Sequence, residues 1–269
     1  MTAPTSGDRP PFVLVEGPAG ADTIVLCDHA MNRVPAASGD LGLPTHAFGR
    51  HIAYDIGALA MATRLARRLG AHLVHTTFTR LLIDPNRGPD DPTLVMKLSD
   101  GQIVPGNRNA DDAEVARRLA AFHAPYHDAI SALIDRMLAA GTVPAIVSIH
   151  SYTYAWKGVA RPWHAAVLWD NDPRLNEPAI AGLRALEGIV VGDNEPYDGA
   201  LANDTMWRHA TTRGLAQTLI EVRQDLVATD ATATRWGDTL ADVLAPLLAR
   251  PEMHRVEHRP SRTGPYTPR

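Results

Sequence analysis

The chain is short of several things, and each shortage removes a class of protein. It has one cysteine, Cys27, in 269 residues, which excludes an intramolecular disulfide and any cysteine-cluster metal site. Charge of one sign is equally scarce. A net charge of −4 and a pI of about 6.3 give no reason to expect nucleic acid or an anionic membrane as partner. No apolar run is long enough to cross a bilayer, and the opening residues MTAPTSGDRPP contain no apolar signal core. The expected location is therefore cytoplasmic. With no internal repeat and no linker, one domain over residues 12–250 is expected, flanked by flexible polar tails at 1–11 and 251–269.

What is present is an ordinary globular composition, 45% hydrophobic and 21% charged, in a chain long enough to bury a proper core. The organising stretch is residues 24–35, IVLCDHAMNRVP. A short apolar run stops at Asp28-His29, as a buried parallel strand does when it delivers side chains to the carboxyl edge of a sheet. In open α/β sheets ligands bind at that edge. Further strands are expected at 71–77, 144–149, 164–169, 189–192 and 215–222. Helices are expected at 47–69, 111–140 (bent near Pro125), 173–187, 203–213 and 235–248, with a long polar loop over 88–109. The alternation implies an α/β fold.

Three of these strands end in a group able to do chemistry: His29, His150 and Glu221. Asp55 falls early in the helix expected after the first strand. Two histidines and a carboxylate are an open zinc set with a position left for water, and a further carboxylate can serve as base on that water. Each residue taken singly also has a structural reading: a strand-capping histidine, a solvated helix aspartate, a glutamate paired with Arg223. His123 and His127 are four apart on a helix, but Ala124 stands where a metalloprotease helix keeps its glutamate. They read as packing groups.

In order along the chain, LCDHAMNRVP, HIAYDIGA, TRLLIDPNR, DGQIVPGN, PYH, SIHSYT, GVARPW, VGDNEPY and LIEVRQDL resemble the N-formylglutamate amidohydrolase family over roughly residues 23–227. The resemblance is to the branch whose first motif reads Glu-His-Ala-Ser-Asn-Arg; here Asp28 and Met31 replace the glutamate and the serine. It implies a three-layer α/β/α fold with a mostly parallel mixed sheet, phosphorylase/hydrolase-like and akin to zinc carboxypeptidases. By position it implies His29, Asp55 and His150 as ligands of one divalent metal, zinc by type, and Glu221 as base. Asn32 competes with Asp55 for the third ligand position. It also implies a small anionic N-acyl amino acid as substrate, N-formyl-L-glutamate, cleaved to formate and L-glutamate. Arg33, Arg80, Arg87, Arg161 and Arg223 lie in or beside the motifs and suit carboxylate recognition, although one or two of them could merely pair with Asp28, Asp84 or Asp225. Asn194, Tyr197 and Trp163 are expected pocket walls. Two alternatives stay open: a carboxypeptidase- or muramoyl-amidase-like peptide hydrolase, and a catalytically silent ligand-binding protein.

Overall fold

The apolar runs become strands because they are buried on both faces, which leaves their backbone groups no partner but one another. The computed structural model describes residues 9–269. The first half of the chain forms β1 (Phe12–Val15), β2 (Thr23–Cys27), α1 (Ala58–Leu69), β3 (His72–Thr76), a small hairpin of β4 (Leu98–Ser99) and β5 (Gln102–Ile103), α2 (Asp112–Arg118) and α3 (Ala124–Ala139). The second half adds β6 (Ala145–Tyr152), a hairpin of β7 (Ala155–Trp156) and β8 (Val159–Ala160), β9 (Ala165–Leu168), α4 (Pro173–Arg184) and β10 (Val191–Asp193). It closes with α5 (Thr205–His209), β11 (Gln217–Arg223) and α6 (Asp230–Leu248).

Seven strands make one mixed sheet in the order β1-β3-β2-β6-β11-β9-β10. The central four run parallel, while β1 and β9 join antiparallel. Alternate side chains of each strand feed opposite cores. Val25, Val147 and Ile220 pack under α1, α4 and α6, and Leu26, Ile146 and Leu219 pack under α3 and α5. That is a three-layer α/β/α arrangement. No helix among the described residues is long and apolar enough to cross a membrane.

The structure departs from the expected elements in several places. The helix expected over 47–69 begins only at Ala58. Gly57 enters it at φ +79°, and a Cβ there would run into the Val227 carbonyl oxygen, so the preceding residues cannot continue the helix. Thr45–Gly49 is a separate 3₁₀ turn. The strand β1 was not anticipated; it follows two prolines and, among the described residues, pairs along one side. The bend near Pro125 is a π segment, Leu119–His123, which accommodates a residue that lacks an N–H.

The polar loop at 88–109 is pinned rather than loose. The buried Asn107 side chain donates to the Leu81 and Met96 carbonyls and accepts from Arg118. The residues after Pro251 also differ from the expected flexible tail. Met253 is buried in the core, Arg174 donates to the Arg255 carbonyl, and Arg262 hydrogen-bonds to Asp170 and Asp198, so an apolar anchor, ion pairs and main-chain bonds together hold the segment. Of the N-terminal stretch, residues 1–8 lie outside the described residues, and the Pro11 carbonyl accepts from the Thr77 amide.

Candidate active site

The carboxyl edge of the four parallel strands opens into a cleft of about 230 Å³. Register explains why residues so distant in sequence meet there. In the β6–β11 ladder Glu221 lies directly opposite His150, and β2 runs beside β6, so its extension carries His29 to the same end. Asp55 arrives from the turn before α1, where its backbone N–H donates to the His29 carbonyl at 2.9 Å. Asp55 is therefore placed by a main-chain tie in a turn, not by helix register as expected.

His29, Asp55 and His150 are buried, and one ligand atom of each lies within 4.8 Å of the others. Both imidazoles turn Nδ1 toward the same oxygen, Asp55 Oδ2, at 3.3 Å from His29 and 2.8 Å from His150. Each Nε2 is held by a different buried carboxylate: that of His29 by Asp84 at 2.7 Å, that of His150 by Asp28 at 3.2 Å. Carboxylates behind histidines in this way set tautomer and ring orientation in metal sites. Asp28 is braced in turn by Tyr126 and Thr205, and Asp84 by Arg80.

The electrostatics favour a cation. Burial acts to raise Asp28, Asp55 and Asp84, but their histidine and arginine partners outweigh it and hold all three below the usual carboxylate range. Burial opposes charge on His150, yet Asp28 and Asp55 push it well above an ordinary histidine. The raised pKa of His150 shows that Asp28 and Asp55 already draw positive charge between them. A divalent ion would take that proton's place, and His29, Asp55 and His150 fit it as one carboxylate and two nitrogen ligands. Asn32 is elsewhere: its side chain donates to the Phe48 carbonyl.

Glu221 faces the same cleft. Burial, opposed by the nearby histidines, pushes its carboxyl up to about 7, and its Oε2 is buried with no hydrogen-bond partner among the described residues. A carboxylate in that range can take a proton and return it near neutral pH. Asp204, also in the cleft and also raised to about 7 by burial, is the other acid of this kind. It already caps α5 by accepting from the Trp207 amide, whereas Glu221 Oε2 carries no such bond among the described residues.

The expected carboxylate-binding arginines divide. Arg80, Arg87 and Tyr197 line the cleft. Arg161 stands one layer behind, buried against the Tyr152, Trp156 and Tyr197 rings and donating to the Tyr197 hydroxyl at 3.0 Å. Arg33 does not reach the cleft, because its guanidinium is committed to Thr77. Arg223 is likewise turned away, paired with Asp225 and bonded to the Arg161 and Trp163 carbonyls. Asn194 supports the wall rather than forming it, its side-chain oxygen accepting from the Trp169 and Gly199 amides. Trp163 is not part of the lining. His123 and His127 hold the Arg87 and Pro85 carbonyls.

Sequence reasoning missed Asp84 and His51 as members of this site. Asp84 had the right signal: it ends the apolar run Leu81-Leu82-Ile83 just as Asp28-His29 ends the first. His51 opens the HIAYDIGA motif and lines the cleft against Trp156.

Residues 21–228 match the N-formylglutamate amidohydrolase family. The chain belongs to that family. The family is one of hydrolases acting on an amide C–N bond. An Agrobacterium tumefaciens gene product of solved structure is 32% identical, with a TM-score of 0.86 over 91% of this chain and 97% of its own. An N-formylglutamate amidohydrolase from Ralstonia eutropha JMP134 shares the fold at 22% identity, TM-score 0.69, covering 88% of this chain and 96% of that one. No curated protein matches the sequence. Within the amidohydrolase family setting, the convergence of His29, Asp55, His150 and Glu221 on one cleft is the arrangement of greatest chemical consequence in the molecule.

Proposed function

We propose that this amidohydrolase cleaves a small N-acyl amino acid, N-formyl-L-glutamate, to formate and L-glutamate, at a site holding one divalent metal. The observation that carries the reading is the buried His29–Asp55–His150 group with Glu221 on the adjoining strand. Two nitrogens and one carboxylate oxygen suit zinc. A divalent ion held there would polarise the acyl carbonyl and make water a stronger acid.

The chain's own residues do the rest. Asp84 and Asp28 keep the two Nε2–H groups occupied, so that both Nδ1 atoms present lone pairs. Glu221 takes a proton from the attacking water at its unpartnered oxygen and passes it to the leaving amine nitrogen. Breaking the C–N bond then yields the carboxylate and the amine, the remaining carboxylic proton passing to that amine. Arg80 and Arg87 bring guanidinium groups to the wall, where charge-assisted bonds to substrate carboxylates favour a dianionic amino acid.

Purified, metal-analysed protein should be offered N-formyl-L-glutamate, N-acetyl-L-glutamate and dipeptides. The expected result is one equivalent of metal and preferential release of formate. Cleavage of dipeptides in preference to the formyl compound would replace this reading with a carboxypeptidase-like one. Tight substrate binding with full metal and no turnover would make the protein a silent binder.

A further inference from the structure

The cleft wall that carries Tyr197 and Asp198 is a loop, residues 194–201, held at three points. At its base the Asn194 side chain accepts from the Trp169 and Gly199 amides, and Gly199 lies so close to the Leu168 and Trp169 backbone that a Cβ would not fit. In the middle Arg161 holds the Tyr197 hydroxyl. The third tie comes from far along the chain. Arg262 grips Asp198 with both terminal nitrogens, Nη1 to Oδ2 at 2.8 Å and Nη2 to Oδ1 at 2.6 Å.

The same guanidinium donates to the Trp169 and Asp170 carbonyls, at 2.6 and 2.8 Å, and the Arg262 amide donates to Asp170 Oδ1. An isolated surface ion pair contributes little, because water screens it and two long side chains must be ordered. This one differs in geometry. The pairing is a bidentate fork, and its arginine is already fixed by main-chain acceptors, so less freedom remains to be lost. The strap has a second foothold: Tyr266 packs edge-on to Trp207 of α5 at 6.1 Å and donates to the Arg259 carbonyl. The family match stops at residue 228, before this segment.

We propose that residues 259–266 are a strap that sets the cleft wall at 197–201, with Arg262 as the positioning residue for substrate affinity. The inference rests on the cleft being the substrate site. Arg262 does not touch the residues proposed for metal binding or proton transfer; it holds the wall that a bound amino acid would lean on. Losing it should loosen that wall while the metal and the base stay in place.

The test uses the full-length chain and two independent readouts. In Arg262→Ala, amide hydrogen exchange over 195–201 should quicken by about tenfold or more, while β6 and β11 stay as protected as in the parent. Asp198→Asn should reproduce the effect, and Arg262→Lys, which keeps the charge but not the fork, should fall between. On N-formyl-L-glutamate, KM should rise about tenfold in Arg262→Ala with kcat within about twofold and metal content unchanged. Unchanged exchange over 195–201 in both Arg262→Ala and Asp198→Asn overturns the strap. So does a fall in kcat and thermal stability with KM untouched, since that pattern belongs to a general structural role. If the parent turns over no N-acyl amino acid, the reaction proposed above fails, and the exchange measurement still decides the strap.

Discussion

At the scale of single residues, the site divides by which atom each side chain has left to offer. His29 and His150 have their Nε2 atoms held by Asp84 and Asp28, so Nδ1 is the atom available to a metal. His29→Ala and His150→Ala should therefore lose metal and activity together, as measured by metal analysis of the purified variants; full metal stoichiometry in both would place the ion elsewhere. Glu221 is different because its Oε2 has no partner. Glu221→Gln should keep the metal and lose turnover by roughly a hundred- to ten-thousandfold, the usual worth of a general base. A variant near parental turnover would remove Glu221 from the mechanism.

The arginines can be sorted in the same way. Arg80 and Arg87 line the cleft, and alanine at Arg87 should lower kcat/KM by roughly ten- to a hundredfold, the loss of one charge-assisted contact. The loss should be larger on formylglutamate than on formyl-leucine. Arg223, paired with Asp225, should show no such difference between the two substrates. Equal losses on both substrates for Arg87 would mean that the cleft does not select a second carboxylate.

At the scale of elements, two junctions carry the site. The turn into α1 needs Gly57 at φ +79° beside the Val227 carbonyl. Gly57→Ala should cost about 1–3 kcal/mol of stability, read by denaturant unfolding, because both conformation and space are wrong for a side chain. It should weaken metal binding too, since Asp55 sits two residues before it. The second junction packs α3 against α5 through stacked, hydrogen-bonded His127 and His209, with Nδ1 and Nε2 2.8 Å apart. Burial drives both pKa values down, that of His209 to about 3.

The unfolded chain binds these protons near pH 6.5, whereas folded His209 resists until about 3. The stability His209 contributes is therefore complete above pH 6.5 and drains away as pH falls toward 3, at about 1.4 kcal/mol per pH unit per proton. Unfolding free energies measured from pH 7 to 4 should show this slope, and His209→Asn should make it shallower. A slope unchanged by that substitution would assign the acid sensitivity to other groups.

At the scale of the whole molecule, the sheet is a device for bringing distant residues to one edge. Four parallel strands all end on the same side, so any polar residue just past an apolar run joins a shared cleft. Three buried carboxylates, Asp28, Asp55 and Asp84, surround the two imidazoles, so a divalent ion bound among them should stabilise the folded state. Stripping it with a chelator should lower the melting temperature, by an amount that grows with the metal concentration used as reference. An unchanged melting temperature would show that the site does not hold the ion in the folded protein.

How much of this was legible in the sequence follows from the range of the interactions involved. The strands carrying His29, His150 and Glu221 could be read directly, because burial on both faces writes a continuous apolar run and the run's end marks the sheet edge. The family motifs named the same residues. What the sequence could not show was any arrangement made by a main-chain turn or a long-range ion pair. Asp55 was expected on a helix, yet a single bond to the His29 carbonyl holds it in a turn. Arg33 and Arg223 look like Arg80 and Arg87 in the chain; only the fold shows that Arg80, though paired with Asp84, and Arg87 lie on the cleft wall while the other two do not. Arg262 lies in a polar, proline-bearing stretch with no apolar pattern to announce structure. Its place is decided by Asp170 and Asp198, acceptors that become its neighbours only once the chain has folded.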